Sequence, residues 1–324
     1  MRAFLVNKPG KNTVLELKNI DDPLPKANEV VIRHTAIGVN YFDVLFRNGN
    51  FKLSESPAIL GTEAVGIIEK IGSGVTDYKV GEKVAYCTGP VGAYAEKRAI
   101  AQDYLLSPPA TLSDEQVAGT LLKGMMAHTL LFRVYRAGLA KRILIHAAAG
   151  GVGHLLAQWA KIIQIPEVIG TVGSDEKIAF AKSAGCDHVI NYAKQDFIVE
   201  LEKITKGEGV GVVYDGVGKD TILKSIDCLW PMGICVSYGE ASGLTPPIDL
   251  SRLFLNSNFI TRPFFALYKS TRVELVLTAN EVFKLLGQGK LRPNITTYKF
   301  EDLPKAHLDL EGRKTMGSLV ISFR

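Results

Sequence analysis

The chain has 324 residues, 47% hydrophobic and 22% charged, which excludes wholesale disorder and suits two domains better than one core. Thirty-eight Lys and Arg stand against 33 Asp and Glu, a net charge of only +5, and no basic cluster interleaved with aromatics supports nucleic-acid binding as a main role. Glycine is abundant, at 31 residues, and cysteine scarce, at four.

The first apolar run, Ala3-Phe4-Leu5-Val6, is far shorter than a signal-peptide core, and nothing approaches the roughly 18 uninterrupted apolar residues of a membrane span. A cytoplasmic location without membrane attachment is the expectation. No two of Cys87, Cys186, Cys228 and Cys235 form a Cys-x-x-Cys pair. A structural zinc site and a secreted disulfide framework are therefore both disfavoured, and reduced, buried thiols are expected.

Residues 1–110 read as short strands punctuated by turns. Glu29–Arg33 is one strand, and Glu63 to Tyr86 holds a group of β-branched runs broken at Gly72-Ser73-Gly74 and Val80-Gly81-Glu82. Beyond Pro108-Pro109, Ser113-Asp114-Glu115-Gln116 has the form of a capping box and opens a helical stretch through Tyr135. From Arg142 strands and helices alternate: strands at Ile143–Ala147, Glu167–Val172, Val210–Asp215 and Ile234–Tyr238, helices at His154–Gln164 and Asp175–Ala184. That rhythm predicts a parallel sheet of βαβ units. A helix at Arg272–Gln288 and strands at Ile295–Phe300 and Ser318–Phe323 follow, and pattern alone does not say which domain they join.

Between the strand ending at Ala147 and the next helix lies Ala148-Ala149-Gly150-Gly151-Val152-Gly153, a Gly-x-Gly-x-x-Gly pattern with alanine first. Small residues suit this place because a dinucleotide pyrophosphate approaches the backbone and sits on the helix N-terminal amides. The flanking strand, helix and second strand make the signal specific. The second strand ends in Gly173-Ser174 where NAD sites commonly place a carboxylate, and Lys177 follows within a turn. Room and positive charge for a 2′-phosphate favour NADPH. Asp175, two residues past the glycine, argues the other way, and Lys177 also reads as a solvated helix-face charge.

The sequence resembles the zinc-independent quinone oxidoreductases, zeta-crystallin-like, of the medium-chain dehydrogenase/reductase superfamily. The matching stretches run along essentially the whole chain: Ala36–Asp43, Gly61–Gly66, Leu122-Lys123-Gly124, His146–Gly153, Val213–Gly218, Thr261-Arg262-Pro263 and Gly312–Gly317. The resemblance implies an α/β fold with a GroES-like β-rich domain over 1–124, a Rossmann-type doubly wound parallel sheet over 125–265, and a segment, 266–324, returning to the first domain. Zinc-dependent members of the superfamily have a histidine ligand where Thr62 stands and a cysteine near Asn40, so no metal is expected. Without one, the acceptor must take hydride readily, as quinones do, and the protein contributes mainly proximity and orientation.

By the same resemblance Asn40 and Asp43 are catalytic candidates, and Asn40, Tyr41 and Phe42 line the nicotinamide side of a cleft. Gly150, Gly151 and Val152 hold the pyrophosphate. Gly173, Ser174, Lys177 and Tyr192 form the 2′-phosphate end, and Gly216, Tyr238 and Gly239 end the third and fourth strands beside the nucleotide. Thr261 and Arg262 approach the nicotinamide amide, and Arg313 lies in the closing segment. Ordinary roles stay open for Asn40 as a turn residue, Tyr192 as a packing aromatic and Arg262 as a structural ion pair. Leu45 stands where the family often has tyrosine, which removes a hydroxyl from the site. The resemblance further implies a homodimer, with Ser251–Ile260 as interface. It leaves reduction of activated C=C bonds as an alternative and RNA binding as a lesser accessory role.

Overall fold

A computed structural model describes residues 1–323. The chain divides into two compact units, one formed by Met1–Leu122, Lys269–Gln288 and Pro293 onward, the other by Lys123–Tyr268 and Gly289–Arg292.

In the first unit the chain runs β1 (Arg2–Val6), β2 (Glu16–Asn19), β3 (Glu29–Val39), α1 (Tyr41–Arg47), β4 (Ala58–Ile59), β5 (Glu63–Ile71), β6 (Lys83–Tyr86) and β7 (Lys97–Ala101), and then enters α2 (Asp114–Thr129). β3 is its spine: Val30, Val31, Ile32, Ile37 and Val39 are β-branched and buried, as a strand packed on both faces requires. Gly66 lets β5 pass close to it, since a Cβ there would stand 2.2 Å from the Arg33 carbonyl oxygen. The turn before β6 needs Gly81, whose φ is +89°. The predicted capping box forms: Gln116 N donates to Ser113 Oγ at 3.1 Å and Ser113 N to Gln116 Oε1 at 2.9 Å.

The second unit alternates β8 (Arg142–Ile145), α3 (Gly151–Ile162), β9 (Glu167–Val172), α4 (Ile178–Ser183), β10 (His188–Asn191), α5 (Phe197–Thr205), β11 (Val210–Asp215), α6 (Ile222–Asp227) and β12 (Leu229–Ser237), then α7 (Ser251–Phe254), β13 (Phe259–Thr261) and α8 (Phe265–Tyr268). The sheet order is β10-β9-β8-β11-β12-β13, with every pairing parallel. The chain first moves outward from β8 and then returns to its other side, so β8 and β11 flank the point where the winding reverses. All six residues of β11 are buried, as expected for a central parallel strand.

The last segment contributes α9 (Arg272–Gly287), β14 (Ile295–Tyr298), α10 (Leu303–Glu311) and β15 (Ser318–Ser322). β15 pairs antiparallel with β3, giving the order β14-β15-β3-β5-β6 with β7 also on β3. Leu319 and Ile321 of β15 join the core built around Phe4, Ile32 and Ile68. Sequence pattern left these strands unplaced because only this pairing gives them a sheet. No helix among the described residues is long and apolar enough to cross a membrane.

Candidate active site

In the first unit β3 passes through Asn40 directly into α1, and the helix starts there because its first turn caps itself. Asn40 N donates to Asp43 Oδ2 at 2.9 Å, the return bond of a capping box. Asp43 is fully buried, and its oxygens also accept from the Tyr94 hydroxyl at 2.7 Å and Thr62 Oγ1 at 3.2 Å. From this buried position Asp43 holds Asn40, Thr62 and Tyr94 in place. The Asn40 amide Nδ2 donates to Glu63 Oε2 at 3.1 Å, and Glu63 Oε1 accepts from Leu122 N at 2.6 Å. Gly38 makes this approach possible, because a Cβ on it would lie 2.3 Å from the same Glu63 oxygen.

The row continues beyond Asp43. Tyr94 Oη lies 3.0 Å from His307 Nε2, and His307 Nδ1 lies 3.3 Å from an Arg47 guanidinium nitrogen. Arg47, buried at the end of α1, donates twice to Glu311 of α10, at 2.9 and 2.6 Å. Burial, reinforced by the Arg47 charge, pushes His307 down to about 3, so the ring is neutral. Burial and the Asp43 charge push the Tyr94 hydroxyl well up. Tyr41 is half-buried, its hydroxyl raised by burial and by Glu311 against the opposing charges of Arg313 and Arg47, which brings Arg313 into the surroundings of α1. Phe42 packs on Phe46 and Phe51 with ring centroids 4.9 and 5.0 Å away. Among the described residues no three His, Cys, Asp or Glu side chains gather as a metal site.

In the second unit, the candidate nucleotide residues lie at or just past the carboxyl ends of the parallel strands. Gly150, in extended conformation, precedes α3, whose first turn contains Gly151 and Val152. Gly153 packs the helix against the loop: a Cβ there would stand 2.3 Å from the oxygen of Ala147, itself at φ +53°. At the end of β9, Gly173 faces the Tyr192 hydroxyl, 3.1 Å from where a Cβ would stand. Ser174 leads into a short turn, Asp175–Lys177. Asp175, the residue that argued for NAD, accepts from Asn191 Nδ2 at 2.6 Å and pairs with Lys194, and these partners lower its pKa. Tyr238 packs on Gly216, its ring 2.7 Å from a Cβ there, and Gly239 closes on the Gly216 carbonyl. Arg262, just past Thr261, makes a two-point ion pair with buried Glu240 at 2.6 Å per bond, the structural role that the sequence left open.

Sequence reasoning passed over several residues. Glu63, Tyr94, His307, Arg47 and Glu311 were given no role, and neither was Asp215, although it stands inside a quoted motif. Asp215 is fully buried and accepts from Val217 N (2.8 Å), Gly218 N (2.9 Å), Thr221 Oγ1 (2.8 Å) and Ser225 Oγ (2.7 Å). Ser225 Oγ lies 3.0 Å from His146 Nε2, and His146 Nδ1 lies 2.7 Å from Thr171 Oγ1. An aspartate followed by Gly-Val-Gly was the available signal, because such a side chain caps its own turn.

A β-rich unit whose strand-to-helix turn carries Asn40, followed by a parallel sheet with a glycine loop at its switch point, defines a medium-chain dehydrogenase/reductase. Two family models match: the alcohol dehydrogenase GroES-like domain over residues 26–138 and the zinc-binding dehydrogenase domain over 151–278. A 2-haloacrylate reductase from Burkholderia sp is 40% identical over 98% of both chains, and quinone oxidoreductase 1 of Escherichia coli is 39% identical over 97% of both. The crystal structure of an Escherichia coli quinone oxidoreductase complexed with NADPH superposes with a TM-score of 0.96 at 38% identity, covering 99% of this chain and 100% of the other. The chain belongs to the quinone oxidoreductase family of this superfamily.

Proposed function

We propose that the protein reduces quinones with NADPH, without a metal. The observation that carries the cofactor choice is the end of β9, where Asp175 is engaged by Asn191 and Lys194 while Ser174 and Lys177 rim the same turn. A carboxylate already held by a lysine is a poor acceptor for ribose hydroxyls, and glycine, serine and lysine leave space and charge for a 2′-phosphate. Gly150, Gly151 and Val152 would hold the pyrophosphate at the N-terminus of α3, and Gly216, Tyr238, Gly239 and Tyr192 would flank the adenosine half. Thr261 and Arg262 would border the carboxamide, with Arg262 kept in place by Glu240. The bound nucleotide supplies a hydride, two electrons and one proton, and the acceptor takes a further proton to become a hydroquinone. Asn40, Tyr41 and Phe42 would orient the acceptor, with Asn40 held by Glu63 and by the Asp43 cap, and Arg313 would lie beside Tyr41. The quinone oxidoreductase relatives along the full chain support this acceptor class.

The 2-haloacrylate reductase relative, at 40% identity, favours activated alkenes as the second reading. NADPH oxidation measured with a naphthoquinone, a 2-alkenal and 2-chloroacrylate separates the two. Turnover of the quinone is expected, and turnover of the alkenes alone would overturn that expectation.

A cytoplasmic location suits four free, buried thiols. The assembly is a homodimer through β13. This short strand lies at the sheet edge, and Phe259 within it and Phe254 and Leu255 before it are exposed. A monomer in sedimentation at micromolar concentration would reject that assembly.

A further inference from the structure

His307 sits at the centre of a row in the first unit that runs from half-buried Glu311 through buried Arg47, His307, Tyr94 and Asp43 and ends on Asn40 N and Thr62 Oγ1. The protons along this row can be counted. The Arg47 guanidinium only donates, and the two protons of its Nη1 are shared among Glu311 Oε2 at 2.9 Å, Asn12 Oδ1 at 3.2 Å and His307 Nδ1 at 3.3 Å, so the His307 Nδ1 facing it stands as an acceptor. In a neutral ring the proton is then on Nε2, which donates to Tyr94 Oη. The single Tyr94 proton is left for Asp43 Oδ2. The opposite tautomer would set an N–H against the guanidinium and draw the Tyr94 proton to His307, taking a donor from Asp43. The row cannot conduct protons from Glu311 inward, because Arg47 does not release one. It can only set orientation.

We infer that His307 is a positioning residue for acceptor reduction: as the Nε2–H tautomer selected by Arg47, it turns the Tyr94 hydroxyl onto Asp43 and so holds Asn40 and Thr62 in place. Neither His307 nor Arg47 needs to touch the acceptor. The geometry of the row stands alone, whereas its consequence for turnover rests on the proposed quinone reduction at Asn40. His307 faces Arg47 of α1, Tyr94 and, through Arg47, Glu311 on its own helix α10; a proton added to its Nδ1 would meet the guanidinium.

Two measurements test this. In the full-length wild type, two-bond 1H–15N correlation of the histidine rings, with His307 assigned through His307→Gln, should show a single Nε2–H tautomer that does not titrate between pH 8 and 4.5. An Nδ1–H tautomer, a mixture, or titration in that range would overturn the proposal. In the second, His307→Gln keeps a donor at the Nε2 position, whereas His307→Asn keeps only an acceptor toward Arg47. The Gln variant should hold kcat for the quinone within about threefold of wild type. The Asn variant should lose about tenfold in kcat with the KM for NADPH unchanged. Equal kcat in the two variants would overturn the positioning role, because a residue that only fills space does not distinguish them. If either variant fails to fold, the wild-type tautomer decides. If the wild type oxidises NADPH with none of the acceptors, the proposed function fails, not the arrangement of the row.

Discussion

Each unit buries one aspartate completely, and around each a set of donors converges, yet the two sets end in opposite ways. In the first unit the row leaving Asp43 passes through Tyr94 and a neutral His307 to a buried cation, Arg47. In the second, Asp215 is met by two backbone amides and two hydroxyls and, through Ser225, by His146, with no cation among the described contacts. Asp43 ties side chains from three parts of the fold to the start of one helix. Asp215 ties the turn after β11 to α6 and so shapes the loop that carries Gly216. A charged row transmits orientation over a distance, and a local cap fixes one loop. The second unit keeps its lysines nearer the surface: Lys194 is exposed and pairs with Asp175, and Lys177 is half-buried at the end of the same turn.

Removing the carboxylates should produce the largest contrast. Asp215→Ala strands the amides of Val217 and Gly218 and takes the charged acceptor from the Thr221 and Ser225 hydroxyls, on residues 0–2% exposed at Val217, Thr221 and Ser225, and we expect a loss of about 4 kcal/mol in urea unfolding. Asp43→Ala strands donors at Asn40 and Thr62, which remain 7% and 8% exposed and can recruit water, and leaves the buried Tyr94 hydroxyl without its acceptor, and about 3 kcal/mol is expected. A greater loss at position 43 would break the distinction between cap and row.

Acid should sharpen the contrast next. In the first unit burial pushes His34 down to about 4 and His307 to about 3, and the charges of Arg98 and Arg47 add to the shift. In the second unit burial lowers His146, but Asp215 opposes the shift. A histidine whose folded pKa is depressed stays neutral in the native state while the unfolded chain takes up a proton. Its contribution is intact above the unfolded value of 6.5, shrinks as pH falls through the window down to the folded value, and is constant below that. For His34, whose Nε2 accepts from Tyr86 at 2.9 Å, the full loss is about 3 kcal/mol, at a slope of about 1.4 kcal/mol per pH unit. Hydrogen exchange between pH 6.5 and 4.5 should show protection falling more steeply in the first unit, and His34→Gln should flatten that dependence. Parallel losses in both units would remove the contrast.

Much of this architecture was legible in sequence, and the part that was not has a physical reason. β9 and β11 ended where their apolar runs ended, and Ser113 capped its helix as the spacing required. The helix expected over Asp175–Ala184 instead opens as the tight turn Asp175–Lys177 before α4, because Asp175 is drawn to Asn191 and Lys194. The glycine loop was visible because a helix start leaves a local signature. The row through Tyr94, His307 and Glu311 was invisible because its members lie 51 to 264 residues from their partners, and no spacing records such a meeting. Only the antiparallel pairing of β15 with β3 brings α10 back to α1.

The smallest effect is the most specific. Lys177 ends the turn that Ser174 begins, and it is half-buried, so its removal leaves no cavity in the core. Lys177→Ala should therefore change stability by less than about 0.5 kcal/mol. A single charge-assisted contact to phosphate, lost from a partly exposed site, corresponds to about a tenfold rise in the KM for NADPH. NADH lacks that phosphate, so its KM should stay unchanged, and steady-state kinetics with both nucleotides and one quinone read the difference directly. An equal rise for both would remove Lys177 from the 2′-phosphate. It would also leave Asp175, neutralised by Lys194, without a reason to be kept from the ribose. A rise confined to NADPH would show that the two units place their cations for different ends: Arg47 inside, to hold a row in order, and Lys177 at the rim, to read a ligand.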